Sequence, residues 1–330
     1  MPDTDNQRLM IKVARLYHTH GMRQTEIASR LQISQSRVSR LLTQAEDESI
    51  VRTIVVVPRH IHADLEERVE ERFGVGEVHV VDAVSEDEAE LNRDLAHATA
   101  ALLRELTSEF PVVGFTSWST TLRMTVDALQ PLRMRSGQIV EMLGDLGPPD
   151  LQHDAARSTQ RFASLAGAHP VFLRTPGVVS SPEMRELLLS RDLYARKALD
   201  ALDSIDLALL GIGDCHIDPA LRPGDNFFTE EQFAAVRGDG AVGEVCLHFI
   251  DAAGEPVGEL DDLVIGVTAA QIRTARRRWA VAGGKRKYAA IHAALTGGWV
   301  DTLVTDAATA QYLVDDAPAT GSPNTGLAAG

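Results

Sequence analysis

Hydrophobic and polar positions change their period along this chain, and the changes divide it. From Arg8 to Tyr17 the apolar residues Leu9, Val13, Leu16 and Tyr17 recur at helical spacing until Gly21 breaks the pattern. The following positions predict a short helix from Thr25 to Leu31, then a third helix, N-capped by Ser34, running to about Glu46. "SIVRTIVVVPR" is a β-branched run ended by Pro58 and predicts one or two strands. "HADLEERVEERFG" predicts a charged amphipathic helix closed by Gly74.

Beyond Gly74 short apolar runs alternate with helical patterns. Candidate strands are 77–82, 112–115, 138–143, 169–173, 205–213, 244–251, 277–283 and 300–306. Helical stretches at 87–106, 119–129, 154–167, 183–203, 285–296 and 307–314 fall between most of them. This alternation predicts an α/β layer with a mostly parallel sheet, whose ligands bind where loops leave the carboxyl ends of strands. The Pro-, Gly-, Ala- and Ser-rich tail "DDAPATGSPNTGLAAG" is expected to be disordered, and no internal repeat is present. The expected division is therefore a head at 1–57, a linker helix at 58–75, a body at 76–314 and a tail at 315–330.

The first three helices have the register of a helix-turn-helix. Ala28 supplies the small residue at the helix crossing, Ile33 plugs the turn, and Ile27, Leu31, Val38, Leu41 and Leu42 form the buried face. Outward-facing Gln35, Ser36, Arg37, Ser39 and Arg40, with Ser34 and with Thr25 at the start of the second helix, are the candidate DNA contacts. Gln and Arg suit bidentate contacts to base edges, and Ser and Arg suit phosphates. Arg8, Lys12, Arg15 and Arg23 are weaker candidates as backbone clamps. Gln32 stands where such turns often have Gly, so either it carries a left-handed backbone cost or the turn is a variant.

Charge changes the picture of the head more than that of the body. The chain's formal net charge is −15, yet residues 1–60 carry nine Lys/Arg against six Asp/Glu, which leaves −18 on residues 61–330. Within 7–45 seven bases face the single acid Glu26. Screening limits charge effects to about 8 Å at physiological salt, so phosphates would feel the basic head rather than the acidic body. Cys215 and Cys246 form no CxxC pair and are expected to be buried thiols in a reducing cytoplasm. With no signal-peptide pattern and no apolar run of about 18 residues, a cytoplasmic protein is expected.

Three loops in the body carry candidate chemistry. In "GFTSWSTTL", Thr116, Ser117, Ser119, Thr120 and Thr121 surround Trp118 at the start of a helix. That many hydroxyls exceeds what a helix cap needs and suits an anion or a hydroxylated ligand. "LLGIGDCH" ends a strand with Gly211, Gly213 and Asp214, where a ligand can approach the backbone. In "AVAGGKRKYAAIHAAL", Lys285 and Lys287 oppose the dipole of the helix they open, which makes sense if Lys287 faces an anion. Glu244, after the glycine turn of "GDGAVGEV", could accept bonds from sugar hydroxyls. No HExxH, GxSxG, GxxxxGK[ST] or paired CxxC motif occurs, and His18, His20, His60 and His62 lack zinc-finger partners, so no metal or cofactor is expected.

Taken in order, "QTEIASRLQISQSRVSRLL", "GFTSWSTTL", "VEMLGDLG", "TPGVVSS", "DLALLGIG", "AVGEVCLHFIDAAGEPV" and "AGGKRKYAAIHAALTGGWVDTLVTDAATAQYL" resemble the SorC-type sugar-binding transcriptional regulators. The resemblance runs from about Arg8 to Val314. It implies a helix-turn-helix, winged-helix-like head on a Rossmann-like effector domain with the fold of glucosamine-phosphate deaminases and ribose-phosphate isomerases, without their catalytic residues. It also implies a homotetramer, or a dimer, whose operator binding is set by a sugar, polyol or sugar phosphate. Carried over by position, Ser117–Thr121 and Lys287 would hold a phosphate or hydroxyl end, with Glu244 on sugar hydroxyls. Ser119 stands where many members have Gly, which places a side chain in the phosphate loop and makes an unphosphorylated polyol a credible ligand beside a sugar phosphate. The alternative is a sugar-phosphate isomerase or deaminase with a DNA-binding head, for which Asp214 or Glu244 would have to act as general base. A Schiff base at Lys285 or Lys287 is a third idea, and nothing in the sequence forces the required pKa down.

Overall fold

Alternate residues of each body strand point to opposite faces, and here both faces are covered. Leu207, Leu209, Ile139, Trp279 and Val281 join one apolar layer. Their neighbours Ala208, Leu210, Val140 and Ala280 join the other. Such two-sided burial is why these strands read as continuous apolar runs. The computed structural model describes residues 4–48, 50–51, 61–83, 87–221 and 225–315. The strands expected within 49–59, His60, and the tail beyond Asp315 lie mostly or wholly outside the described residues. The chain divides into two compact units, Met1–Pro58 and Arg59–Gly330.

The smaller unit holds α1 (Thr4–Ala14), continued by one wide helical turn over Arg15–Thr19, then α2 (Gln24–Leu31) and α3 (Gln35–Asp47). Its core is Met10, Val13, Leu16, Ile27, Ala28, Val38, Leu41, Leu42 and Ala45, with Leu31 and Ile33 partly buried against it. Ser34 caps α3 by accepting the Arg37 N–H at 3.3 Å. Gln32 ends α2 in the left-handed region, φ 52°, so the turn adopts the geometry glycine prefers without having one.

The larger unit opens with α4 (Ala63–Phe73), which Gly74 ends at φ 64°. Val69 of α4 is buried in the body core, so this helix packs on the larger unit as one of its own elements. β1 (Glu77–Val81), α5 (Glu88–Glu105), β2 (Glu109–Phe115), α6 (Thr120–Ala128), β3 (Arg135–Glu141), α7 (Pro149–Ala166) and β4 (His169–Val171) follow. After them come α8 (Pro182–Arg191), α9 (Leu193–Ala201), β5 (Leu207–Gly211), β6 (Gly213–Asp214), α10 (Glu230–Gly238), β7 (Gly243–Val245) and β8 (His248–Ile250). The unit closes with α11 (Ala269–Thr274), β9 (Arg277–Val281), α12 (Tyr288–Thr296), β10 (Thr302–Asp306) and α13 (Ala307–Asp315).

Among the described residues, seven strands form one sheet in the order β1-β10-β9-β5-β2-β3-β4. Every pairing in it is parallel. β2 and β5 are neighbours, yet the chain leaves β2 towards β3 on one side and leaves β5 towards β9 on the other. The order of strands therefore reverses between β2 and β5, where an open α/β sheet forms a crevice at its carboxyl edge.

Several elements differ from expectation; the run expected as one strand over 205–213, for instance, is split into β5 of the parallel sheet and β6, which pairs antiparallel with β7. The helix expected over 183–203 is broken, because Asp192 turns its carboxylate to the N–H groups of Tyr194 and Ala195 and caps a new helix. The strand expected over 244–251 is a hairpin instead. β7 and β8 pair antiparallel, and Cys246 (φ 52°) and Leu247 (φ 65°) make the two-residue turn. Asn-Gly is the usual signal for a turn with both central residues left-handed, and this chain carries Cys-Leu.

Candidate functional site

The crevice predicted by the topology is present as a cavity of about 660 Å³, walled by loops at the carboxyl ends of β1, β2, β3, β5 and β9. Trp118, Ser119, Thr120 and Thr121 enter it from the β2–α6 loop. Ser119 is the N-cap of α6 and accepts the Leu122 N–H at 3.3 Å. The positive end of the α6 dipole thus sits at the cavity wall. Gly211 closes the other side of the crevice, since a Cβ there would meet Ser119 Oγ at 3.0 Å.

Of the residues expected to contact a ligand, Trp118, Ser119, Thr120, Thr121, Gly213, Asp214, Glu244 and Lys287 all line this cavity. Ser117 is not among the lining residues. The chain turns back at Ser117, whose N–H bonds to Phe115 O at 3.1 Å, and its side chain is buried behind the wall. Its carbonyl and that of Trp118 accept Arg123 Nη1 at 3.2 and 3.1 Å, which fixes the loop. Thr121 Oγ1 donates to Asn92 Oδ1 at 2.9 Å, and Thr120 Oγ1 accepts from Arg123. The hydroxyls thus shape the wall as much as they offer contacts.

Glu244 and Lys287 are half-buried in the wall. Glu244 Oε2 accepts the Leu247 N–H at 2.7 Å. Burial pushes its pKa above the usual carboxylate value, against that bond and the Lys287 charge. Burial likewise pushes the Lys287 ammonium below the usual lysine value, against Glu244, Asp214 and Glu88. Lys285, by contrast, is exposed and does not line the cavity. Asp214 is engaged at 2.9 Å by Arg286 Nε, whose Nη1 reaches Glu88 at 3.3 Å. Arg286 thereby ties three loops together at the rim.

Several wall residues escape a reading of the sequence. Asn92 belongs to α5, and Phe227 and Phe233 lie in and after a loop far from the other walls. Only Arg286, next to Lys287 in "GGKRK", had a neighbour that could have drawn attention to it. Cys246 lies in the wall, pushed up to about 12 by burial, with Sγ 3.3 Å from Thr116 Oγ1. Cys215 is buried as well, and burial raises it to about 11.

In the smaller unit Thr25, Ser34, Gln35, Ser36, Arg37, Ser39 and Arg40 are all exposed. Ser34 and Ser36 hydroxyls lie 3.0 Å apart, and Arg40 Nε bonds to Ser36 O at 3.4 Å. One face of α3 therefore presents a contiguous polar, cationic surface.

The family described as "Putative sugar-binding domain" matches residues 59–315. A deoxyribonucleoside regulator of Bacillus subtilis is 31% identical over 315 residues, covering 95% of this chain and 99% of that protein. The chain belongs to the SorC-type family of sugar-binding transcriptional regulators. The sorbitol operon regulator of Klebsiella pneumoniae is 28% identical over 322 residues, covering 95% of this regulator and all of the other. The crystal structure of that full-length protein superposes with a TM-score of 0.69 at 26% identity, over 94% of this chain and 100% of that one. No helix of the regulator among the described residues is long and apolar enough to cross a membrane.

Proposed function

We propose that this regulator binds operator DNA through α3 and that a sugar, polyol or sugar phosphate in the body cavity sets its affinity. The DNA contacts are Thr25, Ser34, Gln35, Ser36, Arg37, Ser39 and Arg40, and their joint exposure on a basic head supports the assignment. The head is residues 1–57 and the effector domain 76–314. The observation that carries the effector site is the convergence of Glu244, Lys287 and the α6 N-terminus on one cavity at the reversal point of the sheet. Trp118, Ser119, Thr120, Thr121, Gly213 and Asp214 complete it. The regulator acts in the cytoplasm on a sugar, polyol or nucleoside operon, a reading supported by the names of its sorbitol and deoxyribonucleoside relatives.

Binding, not turnover, is the output. Asp214 is held by Arg286 and Glu244 by the Leu247 amide, which supports a structural and ligand-holding role for both carboxylates over that of a general base. The working form is a dimer or tetramer, supported by the exposed apolar Met184, Leu187, Leu193 and Tyr194 on α8 and α9. Effector binding then favours one arrangement of protomers and changes how two heads span their half-sites. Fluorescence anisotropy on the DNA upstream of the regulated operon tests this. A sugar that binds the body must shift DNA affinity; binding without any shift would sink the coupling.

A further inference from the structure

The cavity is divided chemically into two ends. At one end the polar groups are tied into a continuous rim: Asn92 to Thr121, Arg286 to Asp214 and Glu88, and Glu244 against Gly213. Near the loop after β3 the lining is apolar: Leu143 and Leu146 belong to that loop, Leu221 lies against Gly147, and Asn226, bonded to Asp145 O and Gly147 O, brings Phe227 beside it. Phe227 and Phe233 have ring centroids 5.9 Å apart, and Leu146 and Phe233 are almost wholly buried. Sugar hydroxyls pressed against that second surface would lose water without gaining partners, which disfavours placing them there. The volume, about 660 Å³, also exceeds what one sugar ring fills.

The charge of the walls argues in the same direction. Among the described lining residues, Asp87, Glu88, Asp214, Asp218 and Glu244 are acidic, while Arg286 and Lys287 are the Lys/Arg partners. Arg286 is already committed to two of those acids. Among the described residues a dianionic phosphate would therefore meet more carboxylates than cations. Ser119, which lies against Gly211, already caps the α6 N-terminus at this wall with its own hydroxyl.

We propose that the effector is a neutral glycoside, with its hydroxylated ring at the Glu244–Lys287 end and an apolar substituent against Leu221, Phe227 and Phe233. This rests on the reading of the cavity as the sugar site and narrows it.

Calorimetric titration of the full-length chain with matched methyl and phenyl glycosides of several sugars, and with the corresponding sugar phosphates, tests the proposal. For at least one sugar the phenyl glycoside is expected to bind about tenfold or more tightly than the methyl glycoside, as burial of an aromatic ring predicts. Phe227→Ala should collapse that ratio, and Leu221→Gln should do the same if the first variant folds poorly. If a free sugar or its phosphate binds as well as the phenyl glycoside, the glycoside assignment falls while the sugar site stands. If none of the probes binds, the sugar site itself falls, and the glycoside assignment with it.

Discussion

Glu244 and Gly213 lie opposite each other in the β6–β7 pair, and the Oε1 atom of Glu244 fills the space that a Cβ at position 213 would need. Gly213 is thus the floor on which the carboxylate rests. Gly213→Ala is expected to displace Glu244 and weaken effector binding roughly 10- to 100-fold, the worth of one charge-assisted hydrogen bond. Titration of effector into the variant checks this, and DNA affinity without effector should stay at the wild-type value.

Lys287 is held in the fold at a cost. Its pKa is lowered by burial, so the folded state binds this proton less tightly than the unfolded chain does. The destabilisation is absent above the usual lysine pKa of about 10.5, grows as pH falls from there towards the folded value and is complete below it. Lys287→Met should therefore raise the melting temperature at neutral pH while abolishing the effector response. The gain should vanish above about pH 10.5.

His248 shows the opposite sign. Burial works against its cation, but Asp261 at 2.9 Å, the Val267 carbonyl at 2.9 Å and the Glu244 charge together outweigh it and raise the pKa. Both ring nitrogens face acceptors, which only the imidazolium can satisfy. The stabilisation is complete below the unfolded pKa of about 6.5 and is lost as pH rises through the folded value. Urea denaturation at several pH values should show wild type losing stability across that window and His248→Asn losing less.

Gln32 sits in the left-handed region at an exposed position, so its replacement touches little else. Gln32→Gly should stabilise the helix-turn-helix by up to about 1 kcal/mol, part of the relief being offset by the freer unfolded chain. Denaturation of the full chain, followed by a probe in the head, measures it.

Arg37 and Arg40 project from α3 beside Ser36. If Arg37 reads a base edge, Arg37→Ala costs about 1–3 kcal/mol at one operator position. If Arg40 holds a phosphate, Arg40→Ala weakens all sequences alike and lowers the salt slope by about one. Binding isotherms on operator variants at several salt concentrations separate the two.

Most of the strands were legible from periodicity because each depends on local pattern; the reversal of their order was not, since it is set by which strands pair. Lys287 and Glu244 stood out as charges beside glycines, and both prove to face one cavity. The hairpin at Cys246–Leu247 was not legible, since "EVCLHFID" has the apolar continuity of a buried strand and no turn residue. The break at Asp192 was hidden because a capping Asp looks like any surface acid until a second helix begins on it. Asn92, Phe227 and Phe233 reach the cavity only through tertiary packing, which single-sequence periodicity does not encode.

The Cys246–Leu247 turn contains no residue that favours its own geometry, so its shape is imposed from outside, in part by the Glu244 carboxylate that accepts the Leu247 amide. The same carboxylate is both the proposed contact for the ligand and a strut for the wall beside it. Removing it alters the mould along with the contact. Substitution at position 244 will therefore change which molecules fit as well as how tightly they bind, and selectivity here can drift through a residue whose own contact with the ligand stays the same.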